Sequence, residues 1–182
     1  AAGPNPELID MTRRFWVGAV LTIPVLILTM GPHVFGLPIH SFISAGASAW
    51  VQLVLAAPVV LWAGWPFFER GWRSLVTRKL NMFTLIAIGT GAAFLYSIVA
   101  TVAPGLFPPE FRGAMGEVAL YFEAAAVITV LVLLGQVLEL RARERTGGAL
   151  RALLDLAPKL AYRLRPDEAD EEISLDQVRA GD

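Results

Sequence analysis

Four apolar stretches separated by clusters of charge constrain this chain more than any other feature. They run from Phe15 to about Met30, from Ala45 to about Trp62, from Met82 to about Ala103 and from Val118 to about Leu140. Nearly uncharged stretches of this length belong in lipid, because about 20 helical residues cross a hydrocarbon core of roughly 30 Å. Charged residues make up 17% of the 182 positions, against about a quarter in a soluble domain. They collect at 7–14, 69–79, 139–182 and near 110–117. The expected fold is an all-α transmembrane bundle of four spanning helices. The first is short for a span and carries Pro24, which is expected to kink it. The second contains Pro58 and is broken by Gly64-Trp65-Pro66. The fourth continues into Arg141–Arg145 with no breaker before Gly147-Gly148, and is expected to project into water as a stalk.

Two function classes drop out on composition. With no cysteine, the sequence holds no disulfide and no thiolate metal site. A net charge of −1 gives no general attraction for a polyanion, so no nucleic-acid partner is expected. The first apolar run is too long for a cleaved signal peptide and lacks a small-residue cleavage site.

Orientation follows from the basic residues, which favour the cytoplasmic side. Arg13 and Arg14 precede the first span. Arg70, Arg73, Arg78 and Lys79 lie between the second and third, and Arg141, Arg143, Arg145 and Arg151 follow the fourth. Segments 31–44 and 104–117 carry only Arg112. Both ends and the central loop are therefore expected in the cytoplasm.

The stretch 65–79 mixes Trp65, Phe67, Phe68 and Trp72 with Glu69 and the basic residues above. Such a pattern suits a kinked amphipathic helix in the headgroup plane. It reads either as a membrane anchor or as a platform (Gly64, Trp65, Pro66, Arg70, Arg73, Arg78, Lys79) that docks a cytosolic metal donor. Beyond the stalk, a helical pattern over Leu150–Leu156 ends at Pro158. Ala161–Leu164 is a candidate strand, Asp167–Glu172 a solvated turn, and Ile173–Val178 a second short element. This looks like the beginning of a small β-rich soluble domain, incomplete as it stands.

Glu123 and Glu139 are the carboxylates of the fourth span. Intramembrane carboxylates usually face a bundle interior or a water-filled path. Sixteen residues apart in sequence, they are separated by about 24 Å of helix rise. Met82 begins the third span at the cytoplasmic side, and Met30 ends the first at the outer side. Each mouth thus offers one thioether and one carboxylate. Soft sulfur favours Cu(I) or Ag(I), and two weak sites suit an ion that must both enter and leave. The plain alternative is that the methionines fill space and Glu139 caps the interface beside Arg141 and Arg143. His33 and His40, in the outer loop, could bind metal or sense pH, but with no third ligand the bland reading is preferred. Gln136 and Thr129 are candidates for hydrogen bonds between helices. Gly89, Thr90 and Gly91 read as a close-packing surface.

Four segments together resemble a known family: Leu80–Gly89 (LNMFTLIAIG), Tyr121–Ile128 (YFEAAAVI), Leu134–Glu139 (LGQVLE) and Ala149–Pro158 (ALRALLDLAP). In order and spacing they resemble the copper-transporting P-type ATPases of the heavy-metal subfamily. The resemblance implies that 15–64 are the two helices peculiar to heavy-metal pumps and 65–79 the interfacial platform. It implies that 80–146 are the first two core helices with their stalk, and 147–182 the start of the actuator domain, after a cytoplasmic segment 1–14. It assigns Met82 and Glu139 to ion loading, and Glu123 and Met30 to ion release. The second-helix break, a double glycine in some relatives, is Ala63-Gly64 here, which implies a stiffer hinge. Cu(I) is the implied cargo. ATP and Mg2+ act in the parent protein, outside this segment.

Family motifs missing from this sequence are the Cys-Pro-Cys of a later helix, DKTGT with its phosphorylated aspartate, the TGE loop and the N-terminal Cys-x-x-Cys module. The segment is therefore expected to be part of a monomeric pump in the cell's inner membrane, with no catalytic residue of its own. Its expected partners are lipid, the remaining pump domains and a copper chaperone. The rival readings are a Zn(II)/Cd(II)/Pb(II) pump, disfavoured by the thioethers, and a small four-helix channel or scaffold.

Overall fold

The computed structural model describes residues 5–36, 38, 43–113, 117–155, 160–163, 171–174 and 178. His40 and the side chain of His33 lie outside this description, as do residues 167–170 of the acidic run.

Helix α1 spans Pro6–Phe35, well beyond the apolar run on both sides. Its early start has a local cause. The Asn5 side chain accepts from the Glu7 amide at 3.0 Å, proline occupies the first turn, and Glu7 places a negative charge there. It runs through Pro24 and Pro32 and closes on Gly36, whose φ of 61° is the left-handed conformation glycine tolerates. His33 therefore belongs to a helix and not to a loop.

Helix α2 covers Ala45–Ala57 and passes directly into a π-helical turn, Pro58–Ala63. Pro58 has no N–H to continue the ladder. The helix widens, and Gly64 N donates to Val59 O at 2.9 Å, five residues back. Helix α3, Trp65–Val76, buries Phe67, Gly71 and Ser74 on one face. Trp65 and Trp72 remain 58% and 70% exposed, the disposition an interfacial helix needs. Its end is a Schellman closure, with Lys79 N donating to Ser74 O at 3.0 Å and Arg78 N to Leu75 O at 3.1 Å. Arg78 takes the position glycine usually holds, at φ 53°.

Helix α4, Met82–Val102, opens on a capping box. The Asn81 side chain accepts from the Phe83 and Thr84 amides, while the Thr84 hydroxyl accepts from Asn81 N. Helix α5, Phe122–Asp155, starts later than the apolar run suggested. Val118 instead bridges antiparallel to Arg112. The helix also continues through Gly147 and Gly148, where a break was expected.

Among the described residues, four helical stretches are long and apolar enough to cross a membrane: Pro6–Pro32, Ala45–Ala63, Met82–Val102 and Phe122–Gly148. No more than 33% of each apolar window is buried within the chain. The bundle therefore presents most of its spanning surface to lipid or to further helices.

The chain divides into two compact units, Ala1–Leu140 and Arg141–Asp182. The second contains an antiparallel pair, β1 (Leu160–Arg163) and β2 (Glu171–Ser174), with Ala161 opposite Ile173. Glu171 and Glu172, expected in a solvated turn, are strand residues. In the first unit, one core cluster joins Met11, Ala63, Phe67, Leu133, Val137 and Leu140, with Phe83 packed against it. A second joins Ala56, Val60, Phe94, Phe122 and Ala125. These two layers mark the levels at which the candidate site residues sit.

Candidate functional site

The first layer carries the cytoplasmic pair. Met82 is the first residue of α4, its backbone held by the capping box and its side chain 54% exposed. Its neighbour Phe83 stacks on Phe67 with ring centroids 5.8 Å apart. Glu139 is an exposed residue of α5, between Val137 and Leu140 of the same cluster. Met82 and Glu139 thus stand beside residues that share one packing layer. Gln136 Nε2 donates to Glu139 Oε2 at 3.2 Å. The oxygen of the same amide, Gln136 Oε1, accepts from Arg70 Nη1 at 2.7 Å, and Arg70 Nη2 donates to Glu7 Oε1 at 2.7 Å. One polar chain therefore crosses α1, α3 and α5.

Arg70, one of the expected platform residues, is half-buried, its side chain 31% exposed. Its guanidinium lies 5.1 Å from the centroid of the Phe83 ring. Trp65, Arg73, Arg78 and Lys79 face outward, whereas Gly64 is buried. Arg73 pairs with Glu69 at 2.6 Å on the exposed face, and Arg78 and Lys79 are exposed. Gly64 serves close packing: an added Cβ would lie 2.6 Å from Val60 O and 3.0 Å from Thr129 Cγ2. Pro66 occupies the first turn of α3, where a missing N–H costs nothing.

The π-helical turn is braced from α1. Arg14 donates from Nη1 to the Trp62 carbonyl and from Nε to Asp10 Oδ2, the latter at 2.8 Å. Its guanidinium also sits 5.0 Å from the Trp62 ring centroid. A carbonyl that the widened helix exposes is thereby satisfied.

The second layer carries the outer carboxylate. Glu123 lies in the first turn of α5, where the helix dipole favours a negative charge. Its Oε2 is buried with no hydrogen-bond partner among the described residues. A buried carboxylate oxygen without a partner costs free energy. The start of α5 is fixed by Tyr121 N donating to Ser97 Oγ at 2.8 Å. Met30 is 54% exposed and stands farther out than Glu123. A Cβ on Gly18 would meet Val130 at 3.2 Å, so Val25 reaches the level of Glu123 along the antiparallel helices. Met30 is five residues beyond, or about 7.5 Å of rise.

Other expectations divide. Gln136 does bond between helices, whereas the Thr129 hydroxyl donates to Ala125 O of its own helix at 2.8 Å. Of the expected close-packing surface, Thr90 is buried and an added Cβ on Gly91 would touch Phe68 at 3.4 Å, whereas Gly89 meets nothing within 4 Å; the tightest glycine at the α3–α4 seam is Gly71. Sequence reasoning missed that Glu7 joins the polar chain, and that Gln52 is 6% exposed with an unpartnered Oε1. A polar residue inside an apolar run was the available signal for Gln52. Among the described residues, no group of three or more His, Cys, Asp or Glu could hold a metal. What the described residues offer is one thioether and one carboxylate toward each end of the bundle, Met82 with Glu139 and Met30 with Glu123.

No family model matches the chain. It is 61% identical over 98% of its length to a copper-exporting P-type ATPase of Legionella pneumophila, covering 24% of that protein. It is 58% identical over its full length to a silver-exporting P-type ATPase of Salmonella typhimurium, covering 22%. It is 55% identical over 99% of its length to a copper-transporting P-type ATPase of Rhizobium leguminosarum, covering 21%. The chain thus spans less than a quarter of the length of the curated relatives it matches, and its similarity to that one segment is end to end.

Proposed function

We propose that this chain, similar along its whole length to copper- and silver-exporting P-type ATPases, is the front membrane part of an ATP-driven pump exporting Cu(I) and Ag(I). That similarity to relatives named for copper and for silver export carries the reading. It disfavours both the divalent-metal pump and the small channel or scaffold.

Met82 and Glu139 receive the ion from the cytoplasm. A thioether and a carboxylate suit Cu(I) without holding it so tightly that it cannot move on. Glu123, whose buried oxygen lacks a partner, then accepts the ion near the outer side, and Met30 takes it farther outward. The protein sits in the inner membrane as a monomer with both ends in the cytoplasm. ATP and Mg2+ act on other domains of the pump, and 147–182 begin the actuator domain. The platform residues Gly64, Trp65, Pro66, Arg70, Arg73, Arg78 and Lys79 dock a cytosolic copper chaperone beside the loading residues.

The test is ATP hydrolysis by the full-length parent in lipid, with Cu(I), Ag(I) and Zn(II) compared side by side. Stimulation by Cu(I) and Ag(I) is expected, and stimulation by Zn(II) alone would overturn the ion assignment. In the same assay Glu139→Gln is expected to slow ion loading with folding intact.

A further inference from the structure

The polar chain from Glu7 to Glu139 has a direction set by chemistry. A guanidinium only donates, so the acceptor end of the Gln136 amide must face Arg70. The donor end is then committed to Glu139 Oε2. Gln136 is 7% exposed, so its amide has little water to turn toward. Arg70 is itself held at three points: by Gln136, by Glu7 and by the face of Phe83. Glu7 balances its charge, which lets an arginine stand beside a cation path without repelling the cation. Phe83 follows Met82 directly, so the same guanidinium lies against the chain neighbour of one loading residue and, through Gln136, one side chain away from the other.

We propose that Arg70 is a positioning residue for ion loading, which through Gln136 fixes the Glu139 carboxylate in the orientation that receives the ion. The proposal rests on the export reading above. It differs from a docking role in what it asks of the side chain. Docking uses positive charge, which lysine also supplies. The relay uses a planar fork that reaches Gln136 and Glu7 together while stacking on Phe83, and an ammonium cannot do that.

The experiment titrates buffered free Cu(I), without chaperone, against ATP hydrolysis by the full-length parent in lipid vesicles. Arg70→Lys and Gln136→Leu are each expected to raise the half-saturating Cu(I) concentration about 10-fold, the scale of losing a group that orients a metal ligand. The maximal rate should hold, since only loading is affected. The double variant should also show about 10-fold, because the two residues act in series, whereas independent effects would multiply to about 100-fold. In a Glu139→Gln background, Arg70→Lys should add nothing. If Gln136→Leu fails to accumulate, the Arg70→Lys pair with and without Glu139→Gln decides the matter. An unchanged half-saturation in Arg70→Lys, or multiplication in the double variant, overturns the relay while leaving the export reading intact. A wild-type pump that Cu(I) and Ag(I) do not stimulate overturns the export reading and the relay with it.

Discussion

Gly71→Ala tests how closely α3 is seated on α4. An added Cβ at Gly71 would lie 2.8 Å from Ala87 Cβ and 2.9 Å from Phe83 O. Comfortable carbon contacts are about 3.5–4.0 Å, so the helices must part by up to about 1 Å there. Neither obstacle is a flexible side-chain tip. Overpacking of this kind costs about 1–3 kcal/mol. Parting the helices also strains the hydrogen bond between Ser74 Oγ and Thr84 Oγ1, both buried, at about 1 kcal/mol. Alanine returns about 1 kcal/mol through helix propensity. The net expectation is a destabilisation of roughly 1–3 kcal/mol. For a chain of this size each kcal/mol moves the thermal midpoint by about 2–4 °C, so the midpoint of the purified chain in bicelles should fall by roughly 2–12 °C. Gly89→Ala, with nothing within 4 Å of its added Cβ, is the matched control and should be neutral or slightly stabilising. An unchanged or raised midpoint for Gly71→Ala would refute the close approach of α3 to α4.

Three further outcomes follow from the same geometry. Gly64→Ala, whose Cβ meets Val60 O at 2.6 Å, should cost about 1–3 kcal/mol in thermal unfolding. Thr129→Ser in that background should recover only part of it, because the Val60 carbonyl remains. Glu123→Leu removes an unpartnered buried oxygen and should stabilise the chain by about 1–3 kcal/mol, while Cu(I) transport by vesicles of the parent is lost. A lowered midpoint would mean that this oxygen is satisfied in the folded chain. Arg78→Gly relieves a non-glycine residue at φ 53° and should stabilise by about 1 kcal/mol. If Arg78 is kept for docking, chaperone-delivered copper transport should fall while transport of free copper does not.

The four spans, with Met82 and Glu139 near one end of the bundle and Glu123 near the other, are legible without coordinates. Each rests on how many residues cross a hydrocarbon layer and on the cost of charge within it. Element ends were legible only where a cap was also a sequence signal. Asn81 marks the start of α4. Asn5 and Pro6 extend α1 far before its apolar run, because capping and a first-turn proline act locally, whereas hydropathy averages over a window. The glycine pair at 147–148 lies inside α5, since glycine weakens a helix without ending it.

The sequence by itself determined how many times the chain can cross a membrane, the levels of its two carboxylates and the family it resembles, because those depend on residue order along single helices. Tertiary structure alone decided which way Arg70 faces, which glycine seats α3 against α4, and that Glu7, Gln136 and Glu139 share one polar chain. Those facts depend on the rotation of one helix against another. Where every spanning helix is apolar nearly all round, periodicity leaves that rotation open, and only the packing of particular side chains fixes it.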